Sequence, residues 1–222
     1  MIPIELMGTA VVPGNRGELR CYRHDGDFSF RIDGTELMSS RMHGSEEQLA
    51  ELAFAKCGKP AGSVLVGGLG MGFTLARALA LLDENARVVL AELVPEVVAW
   101  NRDLLGHLAG HPLRDPRVHV LLDDVGNVLR SGRAQFDVIL LDVDNGPAGL
   151  TRKDNDRLYD ECGLAAATAA LRQGGVLAVW SSAPDRAFVQ RLQRSGLKVT
   201  EVATRARRTR GPARTIWLGV NR

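Results

Sequence analysis

Residues 64–74 read Val-Leu-Val-Gly-Gly-Leu-Gly-Met-Gly-Phe-Thr, an apolar run followed by alternating glycines. The run predicts a buried strand, and Gly68, Gly70 and Gly72 then lead from its end into a helix. Glycine permits a tight turn there and lets a nucleotide come close to the backbone. The spacing GxGxG differs from the GxGxxG of dinucleotide-binding turns and favours an adenosyl nucleoside. Close packing of the strand against the helix is the alternative explanation of the same glycines.

From Ser63 onward, seven strand-like runs alternate with helical patterns. The runs lie at 64–66, 88–90, 118–122, 138–141, 176–180, 198–202 and 215–218, and the helical patterns lie near 73–82, 95–108, 125–131, 156–171 and 184–195. Apolar strands separated by helices are typical of a parallel sheet that is covered on both faces. The last two runs are joined by a polar loop, which predicts an antiparallel hairpin. We therefore predict an α/β, Rossmann-like class I methyltransferase fold with a mostly parallel seven-stranded sheet and a terminal antiparallel hairpin.

The residues before this pattern have a different periodicity. Residues 18–39 contain two short runs, 19–23 and 28–32, each followed by an Asp-Gly turn signal. They predict a β-hairpin or a small meander. From Ser45 the apolar residues recur at helical spacing, and the opening Ser-x-x-Gln is typical of a capping box. We divide the chain into an N-terminal β-hairpin region, 1–44, and a nucleoside-binding domain, 45–222.

The composition is that of an ordinary globular protein. Of 222 residues, 45% are hydrophobic and 24% are charged, which excludes a disordered or collagen-like chain. No apolar run reaches the roughly 18 residues that a membrane helix needs, and the N-terminal residues do not resemble a signal peptide. We therefore expect a cytoplasmic protein. The net charge of +2 gives no indication of a nucleic-acid or membrane partner.

The cysteines and histidines indicate neither a disulfide framework nor a metal centre. Cys21, Cys57 and Cys162 stand far apart, and none belongs to a CxxC motif. His107 and His111 have the spacing of two metal ligands on a helix, but the neighbouring glycines and proline predict that the helix ends there. We therefore expect no metal site.

Acidic residues follow the second and third predicted strands. Glu92 lies about 20 residues after the last glycine, where a carboxylate can accept hydrogen bonds from both ribose hydroxyls. A helix cap or a surface position is the alternative for Glu92. Asp124 could bind an adenine amino group, while Asp123 could cap the following helix. The predicted nucleoside-binding residues are Gly68, Gly70, Met71, Gly72, Glu92, Leu93, Asp124 and Val125.

The fourth strand leads into Asp142-Val-Asp144-Asn145 and a long polar loop, residues 143–155. In an open α/β sheet, ligands bind beyond the carboxyl ends of the strands, so Asp142 and Asp144 are predicted to face the same crevice as the glycines. A carboxylate there can hold a protonated amine, accept its proton or balance a sulfonium charge. We take Asp142 and Asp144 as the catalytic candidates, with a simple loop turn as the alternative.

Six segments, in order, resemble the spermidine synthases, which are polyamine aminopropyltransferases on the class I methyltransferase fold. The segments are VLVGGLGMGFTL, AEL around Glu92, DPRVHVLLDD to Asp124, FDVILLD to Asp142, LYDE from Leu158 and LRQGGVLAVW from Leu171. The similarity covers residues 60–180, and the Ile-Asp-Gly turn at Ile32 resembles one in that family's small N-terminal β domain. The resemblance implies that Glu92 binds ribose, Asp124 binds adenine and Asp142 accepts the proton of the attacking amine.

Several positions depart from the family's pattern. Met71 stands where the glycine loop of the family carries an Asp that holds the donor's aminopropyl ammonium, and Asn145 replaces a second Asp that contacts the polyamine. The family's Gln, Asp and Tyr after the N-terminal turn correspond here to Leu37, Met42 and Glu46. Buried positive charge must be paired, and too few carboxylates remain for donor and polyamine together. Asp144 and Glu46 could compensate in part if the loops are shifted.

These departures favour methyl transfer from S-adenosylmethionine, whose carboxylate an acidic loop would repel. Backbone amides near Gly72 could receive that carboxylate, and a base near Asp142 could deprotonate the acceptor. The alternative is aminopropyl transfer from decarboxylated S-adenosylmethionine to a polyamine. A non-catalytic nucleoside-binding protein is a third possibility. A nicotinamide-dependent oxidoreductase is a fourth, against which the GxGxG spacing counts.

The acceptor is predicted to be a small molecule, and the family resembled uses an amine. Asn145, Tyr159 and Trp180 are the predicted substrate contacts, because they lie in or after the long loop or at a strand end near the crevice. The arginines between 205 and 214 are expected in a solvated hairpin loop. The N-terminal hairpin offers a free edge, which the resembled family uses for pairing, so we predict a homodimer.

Overall fold

The computed structural model describes residues 3–14, 17–143, 146–147 and 157–222. The strands are β1 Glu5–Val11, β2 Glu18–His24, β3 Asp27–Ile32, β4 Thr35–Ser39, β5 Ser63–Gly67, β6 Arg87–Glu92, β7 Val118–Leu122, β8 Phe136–Leu141, β9 Leu171–Ser181, β10 Lys198–Arg207 and β11 Arg210–Val220. The helices are α1 Gly44–Cys57, α2 Phe73–Ala80, α3 Pro95–Asp103, α4 Val125–Arg130, α5 Glu161–Ala170 and α6 Arg186–Arg194, with 3₁₀ turns at Gly106–Ala109 and Pro112–Arg114. None of the described helices is long and apolar enough to cross a membrane.

The N-terminal sheet is an antiparallel meander in the order β1-β2-β3-β4. The predicted hairpin is its central pair, and the structure adds β1 and β4. Asp25 and Gly26 join β2 to β3 with φ angles of 51° and 81°, and Asp33 and Gly34 join β3 to β4 with 49° and 79°. Two-residue turns with positive φ match the twist of the flanking strands. The two Asp-Gly pairs therefore explain why the chain reverses at these points.

The larger sheet has the strand order β10-β11-β9-β8-β5-β6-β7. Only β11 runs antiparallel to its neighbours, β10 and β9, among the strand pairs that the structure describes. The predicted mostly parallel seven-stranded sheet with a terminal hairpin is confirmed. The order reverses at β5, because β6 lies on one side of it and β8 on the other. A ligand crevice is expected beyond the carboxyl end of β5, at this switch point.

Both faces of the larger sheet are covered, and each cover forms a hydrophobic core. The first core joins the sheet to α1, α2 and the N-terminal sheet and includes Leu49, Leu75 and Phe30. The second joins it to α4, α5 and α6 and includes Leu129, Leu164 and Phe188. The central strands β5 and β8 are buried on both sides, which accounts for their unbroken apolar sequences.

Three local predictions differ from the structure. Helix α3 ends at Asp103 rather than near residue 108, because Gly106 begins a 3₁₀ turn. The capping box at Ser45 is not formed, since α1 begins one residue earlier with His43 at the N-cap and without a side-chain cap. The arginines between 205 and 214 do not form a loop. Only Arg208 and Thr209 separate β10 from β11, so most of this segment is paired strand.

Candidate active site

A cavity of about 400 Å³ lies between the N-terminal sheet and the carboxyl edge of the larger sheet. One wall is apolar and comes from the N-terminal region: Val12, Leu19, Phe30, Ile32, Leu37 and Met38. The N-terminal sheet is therefore part of the site, because without it the cavity would lack this wall and the edge of the larger sheet would be exposed to solvent. An apolar wall facing a few polar groups is the usual composition of a small-molecule site.

The opposite wall follows the order of the parallel strands. Asp124 follows β7, Glu92 ends β6, Gly68 follows β5, Asp142 follows β8 and Trp180 lies in β9. Neighbouring strands are about 4.8 Å apart, so the four spacings from β7 to β9 give a wall of about 19 Å. A wall of this length suits an elongated ligand. We call its β6–β7 part the nucleoside end and its β8–β9 part the reacting end.

The glycine loop between β5 and α2 comes close to its neighbours at two points. Gly68 has a φ of 85°, and a Cβ added there would lie 2.5 Å from the backbone oxygen of Asp142. A Cβ on Gly70, whose φ is 52°, would lie 2.9 Å from Sδ of Met38. The side-chain amide of Asn101 in α3 donates to the Gly70 carbonyl over 2.8 Å. The loop is thus held by α3 and can pack this closely against Asp142 and Met38 only because Gly68 and Gly70 lack a side chain.

Met71 and Gly72 lie apart from the cavity wall. The Met71 side chain is completely buried in the first core, and Gly72 is the N-cap residue of α2. The predicted nucleoside contact of the Met71 side chain is therefore not supported. Met71 stands where the resembled family carries an acidic residue. In this chain its side chain faces the protein interior.

Glu92 lines the cavity and also stabilises the loops around it. Its side chain is only 7% exposed. Oε2 accepts a hydrogen bond from the Leu69 amide over 2.8 Å, and Oε1 accepts one from the Val94 amide over 2.9 Å. A carboxylate oxygen has a second lone pair, so these bonds do not preclude a ribose hydroxyl. Glu92 therefore fixes the turn before α3 through the Val94 amide, although α3 has no side-chain cap, and this bond is compatible with contact to a ligand.

The helix cap that the sequence assigns to Asp123 falls on Asp124 in the structure. Asp124, not Asp123, is the N-cap of α4, and its Oδ1 accepts a hydrogen bond from the Gly126 amide over 2.7 Å. Asp123 Oδ1 instead accepts bonds from the Asp124 amide and the Asn127 side chain. The cap falls on Asp124 because the helix begins at the very next residue. Both aspartates, together with Leu93 and Val125, line the nucleoside end.

Asp142 is surrounded by side chains from two helices at the reacting end. Thr74 Oγ1, in the first turn of α2, donates to Asp142 Oδ2 over 2.6 Å and lies 3.3 Å from the backbone oxygen of Glu46. Glu46, in the first turn of α1, lines the same cavity and is only 5% exposed. Ser45 Oγ donates to Glu46 Oε2 over 2.6 Å. The fold thus brings the buried carboxylate of Glu46 and the half-buried carboxylate of Asp142 to one end of the cavity.

Burial raises the pKa of both carboxyl groups above their ordinary values. For Glu46, burial is the largest cause, and the negative charge of Asp142 raises its pKa further, while Ser45 and Arg214 act in the opposite direction. For Asp142, burial raises the pKa and the hydrogen bond from Thr74 lowers it. Two acids in such a site titrate as a pair and retain a proton more readily than separate acids do. This places their proton exchange closer to neutral pH, where a general base is effective.

The three residues predicted to contact the substrate, Asn145, Tyr159 and Trp180, differ in where they lie relative to the cavity. Trp180 lines the reacting end, and the Arg214 guanidinium lies 5.5 Å from its ring centroid. Tyr159 is instead buried in the second core, with its ring 5.6 Å from that of Phe188, so its predicted substrate contact is not supported. Asn145, like the catalytic candidate Asp144, lies outside the residues that the structure describes.

Sequence reasoning undervalued Glu46 and missed Thr74. Glu46 shares a helix face with Leu49, Ala50 and Ala53, at spacings of i+3, i+4 and i+7, and all four are buried. An acid on the apolar face of a helix is a detectable anomaly, because burying an unpaired charge is costly. Thr74 gave no such signal, since a threonine at the start of a buried helix is unremarkable in sequence.

Comparison with known proteins agrees with this geometry. Residues 42–205 match the model of the spermine/spermidine synthase domain. A polyamine aminopropyltransferase of Mycobacterium tuberculosis is 30% identical over 171 residues, which cover 75% of this chain and 31% of that protein. A polyamine aminopropyltransferase of Nitrosomonas europaea is 32% identical over 159 residues, which cover 70% of this chain and 46% of that protein. The chain thus spans less than half the length of these curated relatives.

Solved structures show the same architecture. The crystal structure of spermidine synthase from Thermotoga maritima matches 98% of this chain and 73% of its own with a TM-score of 0.79, at 17% sequence identity. A spermidine synthase in complex with the transition state analogue AdoDATO matches 98% of this chain and 72% of its own with a TM-score of 0.78, also at 17% identity. These likenesses establish the fold, and the match over residues 42–205 establishes the family. The chain belongs to the spermine/spermidine synthase family.

Proposed function

We propose that the protein transfers an aminopropyl group from decarboxylated S-adenosylmethionine to an amine. The observation that carries the proposal is the position of Asp142. In a domain of the spermine/spermidine synthase family, this acid follows β8, contacts Thr74 and opens on the cavity beside the glycine loop. A carboxylate with a raised pKa is suited to accept the proton of an attacking amine.

The donor nucleoside is proposed to lie along the strand ends. Gly68 and Gly70 leave room for it, Glu92 is placed to accept from the ribose hydroxyls, and Asp124 is placed to accept from the adenine amino group. Leu93 and Val125 would contact the adenine. This order puts the sulfonium near β5 and directs the group to be transferred toward Asp142.

In the proposed reaction, the amine nitrogen attacks the aminopropyl carbon bound to sulfur. A carbon–nitrogen bond forms while the carbon–sulfur bond breaks, and its electron pair stays on sulfur, which leaves as a neutral thioether. The proton lost by the nitrogen passes to the Asp142 carboxylate. Such a displacement requires alignment of nucleophile and leaving group more than covalent assistance, which a closed cavity provides. The apolar wall from Phe30 to Met38 suits the methylene chain of an amine acceptor.

Methyl transfer, which the sequence favoured, receives no support, and the aminopropyl alternative fits better. The argument for it relied on a neutral Met71 facing the donor, but that side chain lies in the core. The reacting end holds Glu46 as well as Asp142, and both would repel the carboxylate of S-adenosylmethionine. The relatives that share 30% and 32% identity are named polyamine aminopropyltransferases.

We also propose a homodimer formed through the N-terminal sheet. Its support is the edge strand β1, where Leu6 and Val11 are 54% and 75% exposed, and the preceding Ile4, which is 55% exposed. Exposed apolar side chains on an unpaired edge favour association. Equilibrium sedimentation should give twice the chain mass, and a monomer at all concentrations would remove this proposal.

The test of the proposed activity is a product assay with both donors. Decarboxylated S-adenosylmethionine and S-adenosylmethionine are each incubated with a panel of diamines and polyamines, and the nucleoside product is separated by chromatography. We expect 5′-methylthioadenosine from the decarboxylated donor only. S-adenosylhomocysteine from S-adenosylmethionine would restore methyl transfer. Binding of either donor without product, for every amine, would favour the non-catalytic alternative.

A further inference from the structure

We propose that Glu46 binds the terminal ammonium group of the donor and so replaces, from helix α1, the acid that the resembled family carries in its glycine loop. This inference rests on the proposed aminopropyl transfer. In the sequence analysis, Glu46 is only one of the positions at which this chain differs from the family's pattern.

The other acids of the cavity wall are committed to its nucleoside end. Glu92 accepts hydrogen bonds from the Leu69 and Val94 amides, and Asp124 and Asp123 accept bonds around the start of α4. Asp142 and Glu46 are the two acids that line the reacting end in the described part of the chain. If Asp142 receives the proton of the attacking amine, Glu46 is left to pair with the donor's ammonium.

Glu46 is held in place for this role. Ser45 Oγ donates to its Oε2, and no residue in the described ranges donates a hydrogen bond to its Oε1. Its helix is fixed from outside through Glu51, which Arg208 contacts at 2.6 Å and Arg77 at 2.8 Å. One oxygen of a buried carboxylate thus stays available to a ligand in the cavity.

The local charge matches one cation. Glu46 is close enough to Asp142 and Arg214 for their charges to act on it. Two ionised carboxylates and one guanidinium sum to a single negative charge, which balances the ammonium group but not the second positive charge of the donor, on its sulfonium. Pairing a buried charge in this way avoids the cost of leaving it unpaired. Before the donor binds, a proton shared by Glu46 and Asp142 reduces the negative charge of the pair. The donor's ammonium takes the place of this proton, so we expect donor binding to release a proton.

The experiment compares two ligands that share the nucleoside: the decarboxylated donor carries an aminopropyl ammonium group and a sulfonium charge, and the thioether product carries neither. Calorimetric titration is carried out with decarboxylated S-adenosylmethionine and with 5′-methylthioadenosine, which has the nucleoside but no aminopropyl group. The proteins are the wild type, Glu46→Gln and the matched control Glu47→Gln, whose carboxylate contacts Arg208 on the outside of α1. Melting temperatures confirm that each variant folds.

We expect Glu46→Gln to weaken binding of the decarboxylated donor at least tenfold and to change binding of 5′-methylthioadenosine less than threefold. Glu47→Gln should change neither. Repeating the titration in buffers of different ionisation enthalpy should show proton release by the wild type that Glu46→Gln lacks. An unchanged affinity of Glu46→Gln for the donor would overturn the inference and leave the proposed function intact. Failure of the wild type to bind either ligand would overturn both.

Discussion

The two ends of the cavity are built in different ways. At the nucleoside end, Glu92 and Asp124 each stand at the end of one strand, and they accept hydrogen bonds from backbone amides a few residues away in the chain or on an adjacent loop. At the reacting end, Glu46, Thr74 and Asp142 come from three separate elements. The first end follows from the strand order alone, whereas the second exists only after α1 and α2 have packed on the sheet.

This difference also separates the electrostatics of the two ends. Carboxylates that accept backbone hydrogen bonds keep their charge at low cost. Burial raises the pKa of both Glu46 and Asp142, and the negative charge of Asp142 raises the pKa of Glu46 further. Ligand contacts at the reacting end should therefore depend on pH around neutrality.

The largest expected effect is the loss of catalysis without loss of nucleoside binding. Asp142→Asn removes the proton acceptor, and a positioned general base contributes about 10²–10⁴ in rate. We expect kcat for aminopropyl transfer to fall at least about 100-fold, while 5′-methylthioadenosine binds as in the wild type. Asp185→Asn is the control, because Asp185 caps α6 away from the cavity and Asn is an equally good cap. A kcat of Asp142→Asn within threefold of the wild-type value would show that Asp142 is not the proton acceptor and that catalysis does not depend on the reacting end.

The second-largest effect is expected from a substitution in the glycine loop, which should weaken nucleoside binding. In Gly68→Ala, the added Cβ would lie 2.5 Å from a backbone oxygen at a φ of 85°. We expect a lower melting temperature and at least a tenfold loss of affinity for both nucleosides. Gly58→Ala has a similar φ of 67° with nothing within 4 Å, so it carries only the strain of the left-handed conformation, about 1–2 kcal/mol. Equal melting temperatures and affinities for the two variants would mean that the close approach at Gly68 is unimportant.

The contrast explains what the sequence could predict. The seven strands, the terminal hairpin and the acids after β6, β7 and β8 follow from apolar runs and their flanking residues, because parallel strands end at a common edge. The cap assignment at Asp123 and Asp124 failed by one residue, which is the ordinary uncertainty of a helix boundary. The paired arginines of β10 and β11 were missed because an Arg-rich segment has no apolar alternation to reveal a strand.

The reacting end was harder to predict, since it depends on contacts between distant residues. The proximity of Glu46 to Asp142 arises from the packing of α1, which no local pattern reports. The burial of Met71 was equally hard to foresee, because the sequence does not reveal which loop residue faces the core. The one local indication of the reacting end was Glu46 itself, an acidic residue on an otherwise apolar helix face.

A smaller effect tests the double role of Asp124. Its Oδ1 accepts the Gly126 amide, so its other oxygen is the one proposed to contact adenine. In Asp124→Asn the remaining oxygen serves the cap and the amide group faces the adenine amino group, donor against donor. We expect 5′-methylthioadenosine affinity to fall about three- to tenfold with unchanged stability, as one hydrogen bond contributes about 1 kcal/mol. Asp124→Ala should lose a similar affinity and also about 1 kcal/mol of stability. A stability loss in both variants, without an affinity loss, would reduce Asp124 to a helix cap.

The smallest effect concerns the stability of the protein without ligand. A carboxyl group whose pKa is raised on folding binds more protons in the folded than in the unfolded state, so stability falls as pH rises between the two pKa values. Burial and Asp142 raise the pKa of Glu46 in this sense. Glu46→Gln cannot ionise, and it should therefore raise the melting temperature at pH 8 to 9 by about 2 °C or more, the shift that about 1 kcal/mol produces in a protein of this size. At pH 4, below the ordinary pKa of a glutamate, the folded and the unfolded wild type both keep the proton, so the two proteins should melt within about 1 °C of each other. A variant that is less stable at high pH would mean that the ionised Glu46 is already paired within the protein and has no charge to offer a donor.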